Sequence, residues 1–219
     1  MCRIQTNDGV GTGFLLKFKA PNGKERHGLL TCYHVLVIKG AAPELETVKI
    51  KFEQHPTEFE LSRIVDLKFP PMFDTNLDFF YLEIDTVLLS GIQSLQVKFL
   101  ELGQFPPKYE EIFVVHYPEG KARMVSVGKI MKRGTCEEGN PNIQHRTSTL
   151  PGSSGAPLID SNGTDGFAFA MHKGRNIDWF CDCASLLQPI IAHITGQPWI
   201  FSRNPSNRPA NQPGTVIAI

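Results

Sequence analysis

Residues Thr149-Leu150-Pro151-Gly152-Ser153-Ser154-Gly155-Ala156-Pro157-Leu158 place a serine in a Gly-x-Ser-Gly-x-Pro turn that runs straight into an apolar strand. Glycine accepts backbone conformations that a Cβ forbids, so Gly152 and Gly155 permit a loop in which the N–H groups of Gly152 and Ser154 converge on one anionic oxygen. Ser154 is thereby a candidate nucleophile lying beside its own oxyanion hole, formed by Gly152 and Ser154. Taken alone, the same string also reads as a Ser/Gly/Pro turn between two strands. The rest of the chain decides between these readings.

A nucleophilic serine needs a base to take its proton and a carboxylate to orient that base. Both are found upstream. His34 ends the apolar run Gly28-Leu29-Leu30-Thr31-Cys32-Tyr33-His34-Val35, and Asp78 opens the aromatic strand pattern Phe79-Phe80-Tyr81-Leu82-Glu83-Ile84. Asp74, after a Pro-Pro-Met-Phe turn, and Asp85, at the end of the run, are the competing carboxylates. The order His, Asp, Ser excludes the subtilisin and α/β-hydrolase arrangements. A hydrolase elbow would also need glycine two residues after the serine, where this chain has Ala156.

Three blocks, Gly-Thr-Gly-Phe with Leu-Thr-Cys-Tyr-His-Val (11–14 and 30–35), Asn-Leu-Asp-Phe-Phe-Tyr-Leu (76–82) and Pro-Gly-Ser-Ser-Gly-Ala-Pro (151–157), resemble the signature segments of trypsin-like peptidases in order and spacing. The resemblance implies an all-β, chymotrypsin-like double β-barrel with a short C-terminal helix. It makes His34 the general base and acid, Asp78 its orienter and Ser154 the nucleophile of a serine endopeptidase with no cofactor. Trypsin itself carries Asp immediately before the nucleophile, to receive a newly cut N-terminus; here Ser153 stands there, which argues against that mode of activation.

The same resemblance extends to the substrate pocket. Thr149 lies five residues before Ser154 and His172 eighteen after it, a combination similar to glutamyl endopeptidases and picornaviral 3C-type proteases, where such residues grip a Glu or Gln side chain. A hydroxyl and an imidazole N–H can both donate to a side-chain oxygen. The segment before Gly152 offers Ser148 and Thr149, with no acid to select basic side chains. Lys173, beside His172, departs from the family's usual small or apolar residue.

Composition sets the outer limits. The chain has 219 residues, 41% apolar and 20% charged, with 22 basic and 22 acidic residues. That is ordinary for a folded domain, and the charge balance, without a basic block, argues against nucleic acid as a partner. Apolar runs are short and broken, so no membrane span is expected. Met1 to Asp8 lacks an apolar leader, which points to an intracellular protein or to a piece excised from a longer chain with flanking regulatory domains. The five cysteines are an odd number, and Cys181 and Cys183 lie two apart on one strand, so free thiols are expected. A zinc site is not expected, because the Cys-x-Cys pair has no matching second pair.

Short strand patterns dominate, at 11–19, 28–33, 47–53, 58–66, 77–84, 110–116, 122–131, 144–149, 155–159, 165–172 and 177–183, with turns at Asn22-Gly23, Glu119-Gly120, Asn162-Gly163 and Lys173-Gly174. One helix is expected over 184–194, closing the second barrel, with Pro189 acceptable only in its first turn. The division is 1–95 for the first barrel, 96–202 for the second with its helix, and 203–219 for an extended or disordered tail. The join falls near 90–107, and the substrate is a protein or peptide bound in the cleft between barrels. Two alternatives remain: a catalytically inactive fold of this kind used as a protein-binding module, and an esterase sharing the nucleophile chemistry.

Overall fold

Alternation of side chains across a pleat, with period two, governs most of the chain. In this computed structural model, residues 1–37, 40–41, 43–53, 57–85, 87, 98–133, 142–161, 166–176 and 181–199 are described. The first sheet is built on β1 (Cys2–Gln5), β2 (Val10–Lys19), β3 (Glu25–Thr31), β4 (Lys49–Phe52), β5 (Glu58–Glu60), β6 (Met72–Asp74) and β7 (Phe79–Glu83), in the order β5-β4-β1-β2-β3-β7-β6. It also takes in β8 (Leu100–Leu102), parallel to β2, and β13 (Phe167–Ala168), parallel to β8. Strands from both halves of the sequence therefore share this sheet.

The second unit is a closed six-stranded barrel. Its strands are β9 (Glu111–His116), β10 (Met124–Arg133), β11 (Asn142–Arg146), β12 (Pro157–Asp160), β14 (Ala170–Asn176) and β15 (Cys181–Leu186), closing in the order β10-β11-β15-β14-β12-β9. Its core gathers Ile112, Val114, Ile130, Ile143, Ala156, Leu158, Phe169, Ala170 and Ala184. Closure removes the free edges that an open sheet exposes.

Several local expectations are corrected. The sequence reading omitted β1, β6 and β8, which are three or four residues long and too short to show a period. Lys173-Gly174 is no turn: both residues lie within β14, where the register shifts between His172 and Gly174 as in a bulge. Bulges leave little sequence trace beyond a glycine. Cys2, Cys32 and Cys181 are free thiols, as expected, but Cys183 is disulfide-bonded. Pairing is a property of the folded chain and cannot be deduced from cysteine spacing. The Asn162-Gly163 turn and the tail 203–219 lie outside the described residues.

The C-terminal helix departs from its expected partner as well. Residues 184–186 finish β15, and α2 (Leu187–Ile194) begins only afterwards, with Pro189 in its first turn where a missing N–H costs nothing. Its buried residues Leu187, Ile190, Ile191 and Ile194 join the core of the first sheet, with Leu15, Leu29, Phe79 and Phe80, instead of the second barrel. The i, i+3, i+4 spacing gives one apolar stripe but cannot say which sheet receives it. Arg26 on β3 ties the arrangement together: Nε and Nη2 donate to the Glu83 carboxylate, and Nη1 to the Ile194 carbonyl at 3.2 Å. Because α2 belongs to the first core, Ile190→Ala should cost about 2–5 kcal/mol. Urea unfolding followed by fluorescence tests this, and a loss below about 1 kcal/mol would show that the helix is not an integral part of that core.

Candidate active site

His34 lies on α1 (Tyr33–Leu36), a single turn leaving β3, and its side chain is half exposed. Asp78 holds this turn three ways. Its carbonyl accepts from the Tyr33 N–H at 3.2 Å, its Oδ1 from the His34 N–H at 3.1 Å, and its Oδ2 meets His34 Nδ1 at 2.8 Å. An ionised carboxylate only accepts, so Nδ1 carries the proton and Nε2 is left with its lone pair, the tautomer a general base requires. Asp78 has φ of 53°, a conformation rare for a side-chain-bearing residue outside functional or tightly constrained sites. The competing carboxylates are spent elsewhere. Asp74 Oδ1 accepts from the N–H groups of Asn76 and Leu77, and Asp85 Oδ1 from that of Val87.

The loop 150–156 is set by its carbonyls. Pro151 O accepts from the Glu119 N–H at 2.5 Å and Ser153 O from the Ala156 N–H at 3.1 Å. In a trans peptide the N–H points opposite the carbonyl, so the N–H groups of Gly152 and Ser154 are turned away from these partners. Neither N–H donates to an acceptor among the described residues. Gly152 and Gly155 have φ of +91° and +86°, and a Cβ on Gly155 would lie 2.0 Å from the Thr12 carbonyl oxygen. Only glycine fits.

Ser154 Oγ donates to the Lys173 carbonyl on β14 at 2.9 Å, so the resting hydroxyl is engaged there and not with His34. His172, the residue before, fixes the loop through its main chain: its carbonyl accepts from the Gly155 N–H at 2.8 Å and from Cys32 Sγ at 3.2 Å. The segment after β3 that carries Cys32 and His34 is thus fastened to the strand beside Ser154.

Thr149 lines a cavity of about 370 Å³ together with His145, Arg146, Thr147, Ser148, Leu150, Arg175, Cys181 and Asp182. Its hydroxyl donates to Asp182 Oδ2 at 2.8 Å. The His172 ring is buried behind this wall, with Nδ1 3.3 Å from His145 Nε2. Ring nitrogens of His145 and His172 and a carboxylate oxygen of Asp182 all lie within 4.8 Å of one another, so Thr149 and His172 meet in one polar cluster. Burial pushes His145 down to about 3, and burial with the added effect of the neighbouring His145 pushes His172 well below its ordinary range, so both rings are neutral. Burial raises Asp182, against the opposing hydrogen bonds of Thr149 and Thr147.

Sequence reasoning missed His116, His145 and Asp182. His116, buried on β9, meets Ser153 Oγ at 2.6 Å through Nδ1 and Ser126 Oγ at 2.9 Å through Nε2. Ser153 also bonds Leu150 on both sides, accepting from its N–H at 3.1 Å and donating to its carbonyl at 2.6 Å. The serine standing in place of trypsin's aspartate is therefore a buried strut of the loop. These histidines occupy inward positions of strands, where period-two alternation registers only apolar residues, so no signal marked them.

Neutral buried histidines tie stability to pH. Unfolded, His145 binds a proton near pH 6.5; folded, only near 3, so its contribution is intact above about pH 6.5 and falls away as pH drops toward 3. The slope is about 1.4 kcal/mol per pH unit for each such histidine. Between pH 6.5 and 4.5, His145→Gln should show a shallower loss of unfolding free energy than the unaltered protein. Parallel slopes would mean that His145 is solvated and titrates normally.

Comparison with known proteins follows the same lines. The model of the trypsin-like peptidase domain matches residues 11–164. Among solved structures, the active form of the Rv3671c protease from M. tuberculosis is similar over 90% of this chain and 80% of its own, with 20% identity and a TM-score of 0.59. The HtrA-type protease AlgW, with a tripeptide, is 19% identical with a TM-score of 0.61; the match covers 90% of this chain and 60% of AlgW. A serine endoprotease from Yersinia pestis is 15% identical, with a TM-score of 0.60, over 86% of this chain and 59% of its own. No curated protein sequence is a significant match. The fold and the family model agree: this chain belongs to the trypsin-like peptidase domain family and is a serine endopeptidase.

Proposed function

We propose that His34, Asp78 and Ser154 form the catalytic triad of this endopeptidase and that it cleaves after Gln or Glu. The observation that carries the triad is the 2.8 Å contact of His34 Nδ1 with Asp78 Oδ2, on an aspartate that also holds the His34 main chain. Substrate entry turns Ser154 Oγ from the Lys173 carbonyl toward His34, a step between staggered wells of its side chain. Oγ then attacks the scissile carbonyl carbon as its proton passes to His34 Nε2, and Asp78 stabilises the imidazolium. The Gly152 and Ser154 N–H groups receive the oxyanion. His34 returns the proton to the departing amine as the C–N bond breaks, leaving an acyl group on Ser154. Water, deprotonated by His34, repeats the sequence and releases the acid.

The choice of Gln or Glu is supported by Thr149 lining the cavity and by His172 within the cluster behind it. A neutral imidazole offers one N–H to a side-chain oxygen without requiring a counter-charge.

The pH profile and the nucleophile are tested together. Activity on a peptide amide should rise with pH and then level off, because only neutral His34 accepts the proton. Ser154→Ala should remove at least about three powers of ten from kcat without loss of fold, and the double variant with His34→Ala should be no slower than either single one. A profile flat from pH 5 to 9, or turnover retained by Ser154→Ala, would refute the triad. Digestion of a denatured proteome tests the specificity: cuts should follow Gln and Glu, and cuts chiefly after Arg, Lys or Phe would refute that part alone.

A further inference from the structure

A hydroxyl has one proton to give, and Thr149 has given it. Thr149 Oγ donates to Asp182 Oδ2 at 2.8 Å, so toward the cavity it presents lone pairs only. Asp182 is 5% exposed, the one carboxylate among the described residues of the cavity lining, and sits on β15 opposite His145 of β11 and Arg175 of β14. Arg146 and Arg175 also line the cavity; both are exposed, so water and salt weaken their charges, and the charge of Arg175 opposes only part of the effect of burial on Asp182. At Thr149 the wall therefore offers only an acceptor, with the buried carboxylate of Asp182 beside it.

We infer that Asp182 decides between the two side chains named above, selecting the carboxamide of glutamine over the carboxylate of glutamate by taking the proton of Thr149. This rests on the reading of the cavity as the pocket for the residue preceding the cut. A carboxamide carries a donor and an acceptor. Its NH₂ matches Thr149 Oγ. A carboxylate has only acceptors. It finds no donor at Thr149 and brings a second negative charge against Asp182, an arrangement that disfavours binding. Asp182 touches no reacting atom; it is a positioning residue, acting through Thr149.

Two matched peptides differing only in Gln or Glu before the scissile bond provide the test. The unaltered enzyme should favour Gln by about tenfold or more in kcat/KM. Asp182→Asn keeps the shape, removes the charge and can donate to Thr149 Oγ, which frees the hydroxyl to donate into the pocket. The Gln-to-Glu ratio should then fall by about tenfold, mainly through faster cleavage after Glu, which a merely structural role would not produce. Thr149→Val should lower cleavage after Gln without any gain on Glu. Labelling of Ser154 by a fluorophosphonate reports whether each variant is folded, and if Asp182→Asn is not, the ratio of the unaltered enzyme and the Thr149→Val result decide. Equal cleavage after Gln and Glu, a preference for Glu, or a ratio unmoved in a folded Asp182→Asn enzyme overturns the role of Asp182 and leaves the pocket reading intact. Cleavage chiefly after Lys, Arg or Phe instead overturns the pocket reading, and the role of Asp182 with it.

Discussion

Thr12 is the joint on which the site depends. Buried on β2 of the first sheet, it reaches the nucleophile loop with both its main chain and its side chain: its N–H donates to the Ser154 carbonyl at 2.9 Å and its hydroxyl to the Gly152 carbonyl at 2.8 Å. The same oxygen accepts from the Tyr117 N–H at 3.1 Å, and the Thr12 carbonyl accepts from the Thr31 hydroxyl at 2.7 Å. One residue thus links β2, the end of β3 that leads to His34, the start of the second barrel, and the loop that carries Ser154. All these groups are shielded from water, where an unmade hydrogen bond costs about 1–3 kcal/mol. His34 and Ser154 come from different parts of the chain, and Thr12 is where their positions are made to agree.

The polar interior of the second barrel is the price of this arrangement. His116, Ser126 and Ser153 support the loop from below, while His145, His172, Thr149 and Asp182 form the wall of the cavity. Each of these side chains has a hydrogen-bond partner within its network. One network meets the loop at Ser153 and the other reaches Thr149, just before it. Polar residues hold the geometry near the cleft, whereas apolar packing by Leu158, Ile143 and Phe169 fills the remainder.

Much of this was legible from the sequence, and the boundary is physical. Short strand-like runs bounded by turn residues located β2, β3, β7, β9 and β10, and the chemistry of the Gly152–Gly155 turn singled out Ser154. His34 and Asp78 followed from what a serine needs, and the structure brings those two side chains into contact. What escaped was relational. The short turn α1 exists because Asp78, far along the chain, binds its N–H groups; the apolar stripe of α2 fits either sheet until Arg26 and the first core receive it; and the disulfide at Cys183 has no local signature. Asp182 was invisible for the same reason, since its meaning lies in the Thr149 proton it accepts.

The most direct test of the account is a crystal structure of the enzyme with a peptide phosphonate or boronate joined to the nucleophile, a mimic of the tetrahedral intermediate. The account predicts a covalent bond to Ser154 Oγ, one adduct oxygen within about 3.1 Å of both the Gly152 and Ser154 nitrogens, and His34 Nε2 within hydrogen-bond reach of the adduct while Nδ1 keeps its contact with Asp78. An adduct on another residue, or an oxygen turned away from both amides, would contradict it.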